Sequence, residues 1–237
     1  AGAVGKYHRA IARSGIGGTT VADFDASLCA ATGFTDAYGR VWTVTRTTSG
    51  RKAAVLSTPA NQARGLVLFG TDDYATAPVA AIPAMGASDA WSIVLVIRQY
   101  DTPTNFGRYL STKLSTGLGK GIAIRTNGTG RQIACHFGDG TNTVDTFGPS
   151  AAAAGVLQVV VVSCTGPSAT IYVNGAPGTP VDVSSVGDRA TGQMQVGRDA
   201  GSASNYQDFE LIAYGTASKA LTAGNALQLN RYFKGGS

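Results

Sequence analysis

The stretch "GVLQVVVVSCTGPSATIYVNGAP", residues 155 to 177, restricts the fold more than any other part of the chain. Leu157 to Cys164 is apolar on both faces, so it must be a strand covered on both sides. A Gly-Pro break follows, then the alternating "SATIYV", then Asn174-Gly175, the pair that a two-residue type I′ turn prefers because both central positions take positive φ. The segment therefore reads as a central strand followed by a second strand that ends in a tight hairpin turn. "WSIVLVI", 91 to 97, has the same two-sided apolar character and supplies a second central strand.

Short strands separated by Gly, Asn, Asp and Pro fill the rest of the chain. They are expected at 40–47, 53–58, 65–70, 91–99, 108–114, 121–127, 131–139, 143–148, 156–164, 170–175, 194–198 and 208–215. That spacing, with 32 glycines and 14% charged residues, suits a turn-rich sandwich or barrel much better than a helical bundle. The covered central strands favour a sandwich with a further layer over one sheet. One helix is expected at the end, with Thr222 as N-cap, a stripe of Ala226, Leu229 and Phe233, and Gly235 as stop. Residues 1–20 read as a basic N-terminal arm, in which Tyr7 and Ile11 allow one short amphipathic turn; residues 21–237 read as a single domain.

The net charge of +5 is concentrated. Lys6, Arg9 and Arg13 stand in the arm, and Arg40, Arg46, Arg51, Lys52 and Arg64 fall in a stretch without acids. The aromatic interleaving of a single-strand platform is missing and no recognition helix is present, so these cations read as a solvated face or a docking surface for an acidic partner and not as a nucleic-acid site. Cys29, Cys135 and Cys164 are too widely spaced for a disulfide framework or a metal clip. Two of them fall inside apolar strand patterns, which points to buried thiols and a reducing compartment. No apolar run reaches the roughly 18 residues of a membrane span, and no export signal is read in the first residues.

Taken in order, "LVLFGTDDYATAP", "WSIVLVIRQ", "GVLQVVVVSCTGPSATIYVNGAP", "MQVGRD" and "DFELIAYGTASKALTAGNALQLNRYF" resemble the laminin-G-like branch of the concanavalin A-like lectin/glucanase superfamily over residues 21 to 233. The resemblance implies an all-β, two-sheet antiparallel jelly-roll sandwich with a short C-terminal helix. It departs from the family at Leu157 and Gln158, where members often carry Trp and His, so no role of those aromatics carries over. The fold hosts lectins, hydrolases and inert scaffolds, and function has to be argued from residues.

Hydrolases of this superfamily use paired carboxylates. The single glutamate, Glu210, has only Asp208 two positions away on its strand, and the pair reads as solvent-facing. His8 and His136 have no identifiable nucleophile beside them. The chain is therefore expected to be non-catalytic and to need no cofactor. By resemblance, a calcium ion on the sandwich rim would draw on Asp72, Asp73 and Asp199, with Asp208 a further contributor; Asp72 and Asp73 serve a turn equally well. Glycan binding calls for aromatics and amides on loops: Tyr74, Tyr100, Asn142, Asn205 and Tyr206, with Asn105, Phe106 and Asn174 as further rim residues.

The expected function is that of a non-enzymatic surface protein of a tailed-bacteriophage virion, made in the host cytoplasm. It would decorate the capsid or act in tail adsorption, with Lys6, Arg9, Arg13, Arg40, Arg46 and Arg51 docking it to other virion proteins and the rim contacting a cell-surface polysaccharide. A homo-oligomer without membrane insertion is expected. The alternative is a secreted bacterial carbohydrate-binding or adhesion module.

Overall fold

The structure is a computed structural model. It describes residues 10–13, 20–24, 33–35, 41–45, 54–55, 66–68, 73–77, 83–100, 105–114, 118–128, 131–189, 191, 193–200 and 204–234, the strands before residue 66 through their backbone alone.

Among the described residues, the early strands are β1 (Ala10–Arg13), β2 (Thr20–Phe24), β3 (Gly33–Thr35), β4 (Val41–Thr45), β5 (Ala54–Val55), β6 (Leu66–Leu68) and β7 (Tyr74–Ala77). The middle of the chain contributes β8 (Ala90–Gln99), β9 (Arg108–Ser111), β10 (Gly121–Thr126), β11 (Gln132–Gly138), β12 (Thr143–Ala151) and β13 (Leu157–Thr165). Then come β14 (Ser168–Val173), β15 (Ala176–Pro177), β16 (Val181–Asp182), β17 (Met194–Val196), β18 (Phe209–Ala217) and one helix, α1 (Ala223–Lys234).

Two antiparallel sheets face each other. The back sheet runs β15-β14-β13-β8-β18-β6-β5 with β16 added to β14, and the front sheet runs β12-β11-β10-β9-β17-β7-β4-β3. The expected sandwich is what the chain forms. The two strands apolar on both faces, β8 and β13, are neighbours at the middle of the back sheet, in register from Leu157↔Arg98 to Thr165↔Ala90. Their inward residues, such as Ile93, Leu95, Ile97, Val160 and Val162, join the core, while Val94 and Val161 meet Tyr172, Ala226 and Leu229 under α1. The helix is the additional layer that the two-sided apolar pattern requires. It begins where expected: Thr222 Oγ1 accepts the Asn225 amide at 3.3 Å, and Asn225 Oδ1 accepts the Thr222 amide at 3.0 Å.

The Asn-Gly turn takes the expected form, with Asn174 at φ 55° and Gly175 at φ 83°. It does not face solvent as a binding loop would: an added Cβ on Gly175 would meet Leu227 of α1 at 3.2 Å. Its role is to close the hairpin beneath the helix.

Aromatic pairs tie the sheets together. Trp91 lies 6.1 Å from Phe137, and at the other end of the sandwich Tyr109 meets Phe209 edge-on at 5.1 Å. Cys135 and Cys164 are free and buried, as their strand patterns predict, and burial pushes both thiols up.

The start of the chain corrects one expectation. Residues 10–13 form a strand paired with β2, Ala10↔Phe24 through Arg13↔Thr20. Ile11 therefore lies in a β-ribbon and not in a helical turn, and the pairing crosses the expected 20/21 boundary. Lys6, Arg9, Arg40, Arg46, Arg51, Asp72 and Cys29 lie outside the described residues, as do Tyr7, His8, Lys52, Arg64 and Gly235.

Candidate functional site

The front sheet turns its second face away from the core, and strand alternation decides what that face carries. On β10, Ile122 and Ile124 point inward, so Ala123 and Arg125 point outward. Register then extends one row across six neighbouring strands: Asp145↔His136↔Ala123↔Ser111↔Gln195↔Thr76. All but Ala123 are polar. Exposure lies at the ends of this row, at Asp145, His136 and Thr76, while Ser111, Ala123 and Gln195 are buried.

A β-bulge sets the neighbouring row. Ile124 pairs with Leu110 but Arg125 pairs with Arg108, so Tyr109 is the extra residue. Tyr109 and Leu110 both enter the core, and Arg108 is returned to the outer face beside Arg125. The buried Tyr109 hydroxyl donates to Gln99 Oε1 at 2.8 Å, which fixes β9 from behind.

Two ion-pair clusters result. Arg108 donates through Nε and Nη2 to the two oxygens of Asp199, at 2.7 and 3.2 Å, and through Nη1 to the Phe106 carbonyl. Ser111 Oγ and Asn205 Nδ2 also donate to Asp199, at 3.2 and 2.8 Å. Burial works to raise the Asp199 carboxyl, but the Arg108 hydrogen bonds and charge, with Asn205 and the Lys113 charge, outweigh it and hold the group below the ordinary carboxylate range. In the second cluster Asp145 bridges Arg125 Nη2 and His136 Nδ1, each at 2.8 Å. Burial again opposes ionisation of Asp145, and His136 and Arg125 overcome it. The Phe106 ring, 46% exposed, lies over Arg125 with 4.8 Å between centroid and guanidinium. Lys113 stands within reach of both pairs and is pushed down to about 8, first by burial and then by the Arg108 charge.

The loops beyond these strands meet at one end of the sandwich. Arg108 N donates to Asn205 O, Thr126 N to Gly107 O, Gln207 N to Gly197 O and Asp199 N to Ser204 O, at 2.9 to 3.2 Å. Gly197, at φ 94°, makes the turn that no side chain would permit: an added Cβ would lie 2.6 Å from Leu68 Cδ1 and 3.0 Å from the Asp73 carbonyl. Directly after it, Arg198 lies over the Tyr74 ring, 3.3 Å from its centroid. Its Nε donates to Gln195 Oε1 at 2.7 Å and its Nη1 reaches the Tyr206 hydroxyl at 3.4 Å.

Of the expected glycan residues, Tyr74, Asn205 and Tyr206 are thus brought together at this rim. Tyr100, 40% exposed, follows the end of β8 on the same side of the sandwich. Asn142 is not: it lies in the β11–β12 turn at the opposite end, where Asp139 accepts the Thr141, Asn142 and Gly187 amides at 2.7 to 2.8 Å. Asp199, expected among the calcium ligands, sits in a different setting from an open cation site. Its oxygens are engaged by Arg108, Ser111 and Asn205, and a guanidinium at 2.7 Å is a poor neighbour for a divalent cation. Asp73 is fully buried, and no group of three or more His, Cys, Asp or Glu suited to a metal occurs among the described residues. Glu210 belongs to the back sheet and is paired with Arg98 at 2.9 Å, and Asp208 lies just before its strand. Sequence reasoning missed Arg108, Gln195 and Arg198. The signal for Arg198 was present in "VGRD", a cation immediately after a glycine that ends a strand.

The fold has counterparts among known proteins. A laminin-G-type family model of the concanavalin A-like lectin/glucanases superfamily matches residues 69–235. No curated protein sequence matches the chain. Among solved structures, domain 4 of an extracellular arabinanase from Geobacillus stearothermophilus, in complex with arabinotriose, superposes with a TM-score of 0.62 at 15% identity, covering 83% of this chain and 92% of that one. The binding domain of botulinum neurotoxin serotype G gives 0.56 at 13% identity, over 84% of this chain and 48% of that one. A sialidase from Trypanosoma rangeli gives 0.56 at 15% identity, over 93% and 35%. Identities this low establish a shared fold; the chain spans about half of the toxin domain and about a third of the sialidase.

Proposed function

We propose that this chain, which belongs to the concanavalin A-like lectin/glucanases superfamily, is a non-catalytic carbohydrate-binding module whose site is the rim around Tyr74, Arg198, Asn205 and Tyr206. The observation that carries this reading is the convergence of two phenol rings, an amide and a guanidinium from separate segments, held by Gln195 and Asp199. Aromatic faces stack on sugar rings, and fixed polar groups read hydroxyls. A neighbour of the same fold crystallised with arabinotriose supports it. The absence of catalysis is supported by Glu210, whose carboxylate is committed to Arg98 on the other sheet.

The module's place, on this proposal, is the surface of a tailed-phage virion, as capsid decoration or adsorption protein, in a homo-oligomer. The buried thiols Cys135 and Cys164 suit folding in a reducing cytoplasm, and the cations from Lys6 to Arg51 suit an acidic lattice. An export sequence upstream in the full gene would favour the secreted-module reading instead, in line with the extracellular enzyme that holds the arabinotriose-bound neighbour.

The test is a glycan array with the purified protein, including arabinan and bacterial cell-wall oligosaccharides, with and without calcium. Saturable binding that Tyr206→Ala weakens by about tenfold or more is expected. Binding to no glycan overturns the proposal, and glycoside hydrolysis that Glu210→Gln abolishes overturns its non-catalytic part.

A further inference from the structure

Most cations on and behind the candidate site are already answered. Arg108 is held by Asp199, Arg125 by Asp145 and Arg98 by Glu210. Arg189, fully buried, donates to the carbonyls of Gly86 and Ala87. Arg198 is different. It is half-buried at the rim, and its partners are an amide oxygen, a phenol hydroxyl and an aromatic face, all neutral.

Those partners fix its pose without cancelling its charge. The Gln195 amide holds Nε, the Tyr74 ring supports one face, and Tyr206 occupies one Nη1 hydrogen. The remaining Nη1 and both Nη2 hydrogens form an end-on fork with no acceptor among the described residues. A rigid guanidinium with a free fork matches a planar carboxylate, which it binds through two parallel charge-assisted hydrogen bonds.

We infer that the rim recognises an acidic sugar, with Arg198, backed by the Tyr74 ring, binding the carboxylate of a uronic-acid residue while Tyr206 contacts its ring. This rests on the carbohydrate-binding proposal and goes beyond it by naming the class of sugar and the residue that selects it.

The experiment is isothermal titration of the full chain with oligosaccharides of galacturonic, glucuronic and mannuronic acid. Methyl esters of the same oligosaccharides, neutral galactose and arabinose oligomers, and a sulfated oligosaccharide without carboxylates serve as comparisons. A uronate oligomer is expected to bind at least about tenfold more tightly than its methyl ester, with affinity falling as salt rises. Arg198→Gln should remove about 10- to 100-fold of that affinity and weaken the ester by clearly less, so that the preference for acid over ester collapses; Arg198→Lys should recover only part of it, and both variants should still unfold cooperatively in urea. Should Arg198→Gln unfold, Gln195→Leu, which frees Nε, must still reduce selectivity between acid and ester. Equal binding of acid and ester, or tighter binding of neutral or sulfated sugars than of uronates, overturns this inference and leaves the carbohydrate-binding proposal standing. No binding to any sugar overturns both.

Discussion

Replacing Asp199 with Asn tests whether the buried pair with Arg108 organises the site. The Asp199 carboxylate is fully buried, the Arg108 side chain is 7% exposed, and four hydrogen bonds reach the carboxylate from Arg108, Ser111 and Asn205. Asn keeps one acceptor oxygen and turns a second NH2 group toward donors that already point there. Arg108 is then left charged and underbonded in a site shielded from water, a loss of about 3 to 5 kcal/mol. With a urea slope of about 3 kcal/mol/M, the unfolding midpoint should fall by about 1 to 1.7 M at pH 7, read by tryptophan fluorescence. The pH dependence has a definite sign. Asp199 titrates below the ordinary carboxylate range in the folded protein, so its contribution is complete above the unfolded value of about 3.9 and disappears as pH falls through the folded value. The gap between wild type and Asp199→Asn should therefore close in acid. Combining Arg108→Met with Asp199→Leu should restore much of the loss, since a buried pair replaced as a unit leaves no orphan charge. A midpoint change under about 0.3 M, or two single variants whose effects simply add, would refute the coupling.

Other consequences are separately measurable. Gly197→Ala forces a side chain into φ 94° and against Leu68 and the Asp73 carbonyl, and should cost about 2 kcal/mol or more in urea unfolding. Asn174→Ala loses both the tolerance for φ 55° and the acceptor of the Val159 amide, at 3.0 Å; about 2 kcal/mol should be lost, with Asn174→Gly falling between it and wild type. Lys113 titrates at about 8 in the folded protein, below its unfolded value of about 10.4. Folding therefore releases a proton between these values, and stability measured against Lys113→Met should rise by about 1 to 2 kcal/mol from pH 7.5 to pH 9.5.

Signals that act over a few residues were legible without coordinates. The two-sided apolar runs of β8 and β13 determined that they lie centrally and need an outer layer, because an apolar face left in water costs too much. Asn174-Gly175 determined a hairpin turn, and Thr222 a helix start, because each residue type meets a backbone requirement within its own turn. The same local reasoning offered Tyr74, Asn205 and Tyr206 as loop residues but had no means of seating them together or of moving Asn142 to the other end.

Only the tertiary structure decided the site. Arg108 meets Asp199 across 91 positions in the chain, through the pairing of β9 with β17. The bulge at Tyr109 that turns Arg108 outward has no mark in "GRYLST", where simple alternation would have put Tyr109 and Leu110 on opposite faces. The Asp145-to-Thr76 row exists only because six strands from distant segments share one register, and Arg198 has neutral partners because β7 and β17 are neighbours. Periodicity reports which face a residue occupies within its own strand. Which side chains share that face depends on strand order and register, which many distant contacts settle jointly as the core closes.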